Sequence, residues 1–308
     1  MRFHRLLFAG LLFVMGDLGA SRGKAAIHLP VIAFCAGAMT LAIYDLFRIP
    51  AQVSRGIAWP DTGNMRDPQF YLVAICLLVG MLLIRSAARW RPFMILALLP
   101  TAAGLVLHLK RGVWIALFLA LLLFAGLSRR WKILLLLGLC GAAAFALPQV
   151  RGRAAAARSW FDPDEGGRYL LWTEVAPRLI REYPLGMGWC APRHEDLLVY
   201  SSKVQPGLRH LHNNALQILA ELGWAGLAAW LAWMAVALRV AWRGFRSRTE
   251  EDPLHWVGLG VFCAFCGLLV NGMVEFNFGD SEILMLCAFL FGLMEALRRT
   301  APQRGGAV

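Results

Sequence analysis

The strongest constraint on this chain is a set of long apolar runs with no polar face. Phe70–Ile84, Phe93–Leu109, Val113–Leu127 and Ile133–Pro148 are hydrophobic around the whole helical circumference. A helix on a soluble core needs one side for water, so such runs are read as membrane helices rather than as a large soluble bundle. Several fall a little short of the ~20 residues that span a bilayer, but flanking Trp and Gly bring them within reach. Charge density agrees: 16% of the 308 residues are charged, where a soluble domain carries about 25%.

Nine candidate spans follow: 5–20, 27–47, 69–84, 93–109, 113–127, 133–148, 225–242, 255–274 and 282–297. The expected fold class is all-α, a polytopic helical membrane protein with one large periplasmic loop containing short helices. It divides into N-terminal membrane helices (1–148), a loop (149–224), and C-terminal membrane helices with a cytoplasmic tail (225–308). The segment Arg2–Ala20 mimics a signal peptide, but Asp17 and the apolar run from Ile27 favour a first membrane helix.

The net charge of +12 does not point to nucleic acid, because no aromatic–basic module accompanies it. Basic residues of membrane proteins gather in cytoplasmic junctions. One set of junctions, from Arg22/Lys24 through Arg85/Arg89/Arg91, Arg129/Arg130/Lys132 and Arg239/Arg243/Arg246/Arg248 to Arg298/Arg299/Arg304, holds fifteen of them. The opposite set, Arg2/Arg5, Arg48/Arg55/Arg66 and Lys110/Arg111, holds seven. The loop then faces the periplasm and both termini follow: the C-terminus inside, the N-terminus outside. Six of the seven cysteines lie in apolar runs and Cys190 alone in the loop. Cys263-x-x-Cys266 lacks a second pair, so neither a disulfide nor a metal site is expected.

The loop is too long and too rich in His, Arg and Trp for a connector. Residues 151–158 suit a surface helix, and Asp162–Gly167 and Pro184–Gly188 suit turns. Helical spacing over Arg168–Glu182 is interrupted or started near Pro177, and 189–209 reads as irregular. Asn213–Leu222 reads as a short helix with Asn213 or His212 as N-cap and Gly223 as its stop. Three roles are open to His210-Leu211-His212: metal ligands helped by His194, Glu195 or Asp196; a helix cap; or a general base at His212, whose imidazole can take a proton near neutral pH. Arg111 between two apolar runs is either functional or a snorkelling end residue. Arg168 can fork onto a phosphate or sit in solvent. Gln217 and Glu221 share a helix face. Asn271, Glu275, Asn277 and Asp280 line the end of the eighth span, where the acids can pair with Arg111 or Arg168.

His212-Asn213, nine residues, then Gly223-Trp-Ala-Gly226 resembles the signature of the O-antigen ligase and polymerase superfamily. "GGRYLLWTEVAPRLIREYPLGMGW", with Arg168, Trp172, Pro184 and Gly186-x-Gly188, is similar to the block before it. "LKRGVWIALFLA" is similar to the upstream arginine helix, with Ile115 where the family has Leu. The similarity runs from about 105 to 280. It implies an enzyme of the bacterial inner membrane, acting in lipopolysaccharide or other polysaccharide biosynthesis. Such enzymes move a glycan from undecaprenyl pyrophosphate to lipid A–core, a polysaccharide or a protein hydroxyl, with no cofactor and no metal. Arg111 and Arg168 would hold the pyrophosphate and His212 would deprotonate the acceptor, with inversion at the anomeric carbon. His210, Asn213, Trp172, Gln217, Glu221 and Glu275 would support them. Ligase is the first expectation; polymerase or protein O-oligosaccharyltransferase shares the chemistry, and a transporter of lipid-linked glycan is the rival of another class. Transporters tend to show repeated halves, and no such repeat is visible. Family members often have more spans than the nine counted, so a short form or a truncated gene product is expected.

Overall fold

The computed structural model describes residues 24–62, 64–156 and 167–302. The proposed span 5–20, the turn residues 162–166 and Arg304 lie outside the described residues. Among the described residues every regular element is helical. The main helices are α1 (Lys24–Ser54), α2 (Asp67–Leu82), α3 (Arg91–Leu107), α4 (Arg111–Ser128), α5 (Lys132–Phe145) and α6 (Pro148–Ala155), with α7 (His194–Tyr200), α8 (Asn214–Arg246), α9 (Pro253–Asn271) and α10 (Ser281–Arg299) after them.

Eight of the nine proposed spans coincide with helices, but fewer qualify as crossings. Among the described residues five helices are long and apolar enough to cross a membrane, or six if α5 and α6, bent by 96°, make one span. The physical reasons are local. Helix α2 is apolar but only 16 residues long. Helix α5 has 14 residues and stops before Pro148, which opens α6. Helix α10 carries Glu282, Glu295, Arg298 and Arg299 within its 19 residues.

The chain divides into two compact units, the first comprising Met1–Ala142, Ala237–Leu268 and Ser281–Val308. Within it α1, α2 and α3 pack together, and α2 also packs on α4. Small residues let backbones approach: a Cβ on Gly260 would stand 2.9 Å from the Cys76 carbonyl oxygen. A buried polar cluster joins three of these helices. Asp45 accepts hydrogen bonds from Tyr71 (2.6 Å), Arg48 (2.8 Å) and the His108 ring (2.7 Å). A carboxylate buried among apolar helices persists only when its lone pairs are satisfied, as here. All seven cysteines are free thiols; Cys35, Cys76, Cys263 and Cys287 are buried, whereas Cys140 and Cys190 are exposed.

The second unit comprises Ala143–Val236 and Leu269–Asp280. It has its own apolar core, in which Leu170, Leu171, Val175 and Leu179 meet Leu197, Val204, Leu211 and Ala220. The loop is therefore a folded body. Residues 168–182 form one helical stretch, but its middle, Leu171–Val175, widens into a π turn. Pro177 has no N–H to return to the preceding turn, and the widening occupies the residues just before it. The segment read as irregular contains α7, whose first turn is closed by Asp196 accepting from the Arg193 amide (2.7 Å).

Candidate active site

Asn213 caps α8, as its position before the apolar run predicts: its side-chain oxygen accepts from the Leu216 amide at 3.0 Å. The preceding residue, His212, has φ 49°, in the left-handed region that non-glycine residues rarely enter. Strain of this kind persists where neighbours over-determine it. Here Trp172 donates its indole N–H to the Leu211 carbonyl (2.7 Å), and the Leu211 amide is held by the Gln217 side chain (2.8 Å).

The helix then breaks at Gly223, which lies at φ 66°, ψ −169°. The break frees the carbonyls of Ala220 and Glu221, and the Pro184–Gly188 turn satisfies them. Met187 N donates to Ala220 O (2.8 Å) and Gly188 N to Glu221 O (2.9 Å), while Trp224 N returns to Pro184 O (3.3 Å). Backbones meet directly: a Cβ on Gly186 would lie 2.6 Å from the Gly223 nitrogen, and one on Gly223 2.5 Å from the Pro184 carbonyl oxygen. The glycines of the two sequence blocks thus form one joint. Buried Gln217 and Glu221 stand behind it, Gln217 donating to Glu221 (2.9 Å) and to the Ala191 carbonyl (3.1 Å).

Both asparagines after His212 hold the 271–280 loop. Asn213 donates to Met273 O (2.9 Å). The Asn214 amide donates to Gly272 O (2.7 Å), and its side chain accepts from Asn277 N (2.7 Å). Asn271 reaches Asn277 at 3.3 Å. That loop presents Glu275 to the histidines. His212 Nδ1 stands 2.9 Å from Glu275 Oε1, and Arg168 donates to Glu275 Oε2 (3.2 Å) and to Val274 O (3.0 Å). His210 lies beside them, its ring centroid 4.1 Å from that of His212 and its Nε2 4.0 Å from Glu275 Oε1.

The electrostatics fit a polarised dyad. Burial pushes the Glu275 carboxyl up, but the His212 hydrogen bond and the charges of His212, Arg168 and His210 outweigh it and hold it at about 2. Burial, aided by the His212 charge, pulls His210 down to about 4. Burial also lowers Arg168, against the pull of Glu275. In the neutral form of His212, an Nδ1–H donated to the anionic Glu275 leaves the lone pair on Nε2, where it can take a proton. His210, His212 and Glu275 offer ligand atoms within 4.8 Å of one another, spacing that can serve a cation. Their carboxylate already has the Arg168 guanidinium as counter-charge.

The second unit thus brings together His212, Arg168, Glu275, His210 and Asn213, with Trp172, Gln217 and Glu221 bracing the backbone. Arg111 belongs to the first unit, buried at the start of α4. Sequence reasoning passed over Asn214, whose signal is its place in the His-Asn-Asn triplet, and Asp45 and His108 of the first unit. Residues 96–231 match the family model described as O-Antigen ligase. That segment is similar to the O-antigen ligase family. The match ends just past the Gly223 joint, so it includes the His212 block. A search of curated proteins gives no match. The family it resembles implies membrane glycosyltransferases of ligase or polymerase type, which act with a lipid-linked glycan and an acceptor.

Proposed function

We propose that this chain belongs to the O-antigen ligase superfamily and transfers a glycan from undecaprenyl pyrophosphate to an acceptor hydroxyl at the periplasmic face of the bacterial inner membrane. The observation that carries the reading is the His212–Glu275 pair at 2.9 Å with Arg168 on the other carboxylate oxygen. His212 Nε2 takes the acceptor proton as the hydroxyl oxygen bonds to the anomeric carbon. The bond from that carbon to the pyrophosphate oxygen breaks on the opposite side, giving inversion and free undecaprenyl pyrophosphate. Glu275 orients the ring and stabilises the imidazolium that forms. Arg168 receives the negative charge of the leaving group, a role a guanidinium can fill in place of a metal.

Ligase, polymerase and protein O-oligosaccharyltransferase share these steps and differ in acceptor. The ligase reading comes first, with lipid A–core as acceptor. The test uses purified protein, the lipid-linked donor, and separate lipid A–core, polysaccharide and peptide acceptors. His212→Ala is expected to abolish transfer while donor binding survives, and Arg168→Ala to weaken donor binding. Product formed at the parental rate by His212→Ala would sink the general-base role. Activity lost with EDTA and restored by a divalent ion would move the histidines to metal binding.

A further inference from the structure

The stretch Tyr183–Trp189 carries no charge, and two of its largest side chains turn away from the loop's core. Leu185 is 89% exposed and Trp189 56% exposed, whereas Met187 between them packs inward. This turn is fixed in place. Its backbone is bonded to Ala220, Glu221 and Trp224 across the Gly223 joint, so Leu185 is held outward by a rigid seat.

Across the joint the apolar surface continues. Leu222 is exposed and Trp224 is 60% exposed, and further along α8 Leu231, Trp233 and Val236 are exposed as well. Helix α8 is one of the helices apolar enough to cross a membrane, so these outward residues are lipid-facing. The turn's apolar tip is an extension of that face at the end where the helix breaks.

We propose that the Pro184–Trp189 turn lies in the boundary between headgroups and acyl chains, on the side of the membrane that the loop occupies. Leu185 enters the apolar layer, and Trp189 and Trp224 lie at the headgroup level, where amphipathic indole rings collect. The partner is a lipid surface rather than a protein, because the patch is continuous with a membrane-spanning face and uncharged along its tip. The seat also ties the contact to the site: the carbonyls it uses belong to the helix that begins beside His212. The inference is independent of glycan transfer and stands or falls on depth alone.

A nitroxide at Leu185→Cys, in a background with Cys140, Cys190 and Cys266 changed to Ser, reads that depth in proteoliposomes. Power saturation is compared for oxygen, which concentrates in the acyl layer, and for a water-soluble nickel chelate. A label at Ser202→Cys, on an exposed turn, gives the aqueous reference. The expected result is higher oxygen than nickel accessibility at 185 and the reverse at 202. Nickel accessibility at 185 equal to that at 202 would overturn the proposal.

Discussion

At Glu275 a single carboxylate serves three neighbours, and its charge is what each of them needs. Glu275→Gln keeps an acceptor for His212 but removes the charge that, in the proposed mechanism, fixes the tautomer and stabilises the imidazolium. Transfer is expected to fall by ~10²-fold or more with donor binding retained, measured as separate rate and binding assays. His210 gives a prediction with a defined pH window. Its folded-state value, about 4, lies below the ordinary 6.5 of an unperturbed ring, so the unfolded chain binds the extra proton. Stability of the loop unit is then full above pH 6.5 and declines as pH falls towards 4. Glu275, held at about 2, adds its own loss only below its ordinary value of 4.5. His210→Asn should flatten the melting-temperature profile between pH 6.5 and 4.5 and leave the steeper fall at lower pH. The histidines, Arg168 and the Asn213 cap were legible in the sequence because each carries a local signal. The pairing of Glu275 with Arg168 was among the ion pairs open to the span-end acids, but the His212 contact was not legible, since it joins residues 63 apart that no spacing encodes.

The elements that position these residues are joined more tightly than their sequence separation implies. Gly186 and Gly223 come from different sequence blocks, and a Cβ on either would stand within 2.7 Å of the other block's backbone. Gly186→Ala is expected to destabilise the loop unit by about 1–3 kcal/mol, from the left-handed φ alone before any clash. A lower melting temperature and faster proteolysis within 184–224 would register it, and parental stability would contradict the joint. Turn residues and the Gly223 stop were readable from composition. The hydrogen bonds that make them one structure were hidden, because a helix break announces unsatisfied carbonyls without naming the donors. Helix α7 was hidden for a related reason: its seven residues are too few for a periodic signal, and it forms by docking Leu197 into the loop core.

Across the whole molecule, hydropathy located helices well and crossings less well. The apolar runs became α1 to α5 and α8 to α10, but length and charge removed several from the set able to cross a bilayer. The proposed position of the 149–224 loop outside, which rests on basic-residue asymmetry, has a direct check. A membrane-impermeant maleimide added from the periplasmic side should modify Ser202→Cys in the Cys140, Cys190 and Cys266 to Ser background; labelling only after the inner membrane is breached would reverse the topology. The joint between Gly186 and Gly223 carries one more implication, best stated as chain statistics. It brings the two ends of the intervening segment to one point, so that segment is a closed loop whose closure is already enforced by backbone bonds. Lengthening such a loop raises its closure cost only logarithmically, by ~0.6 kcal/mol per doubling. New residues inserted between Pro206 and Gly207, both exposed, would leave the joint as it is. The molecule therefore has a place where it can gain surface without altering the geometry at His212.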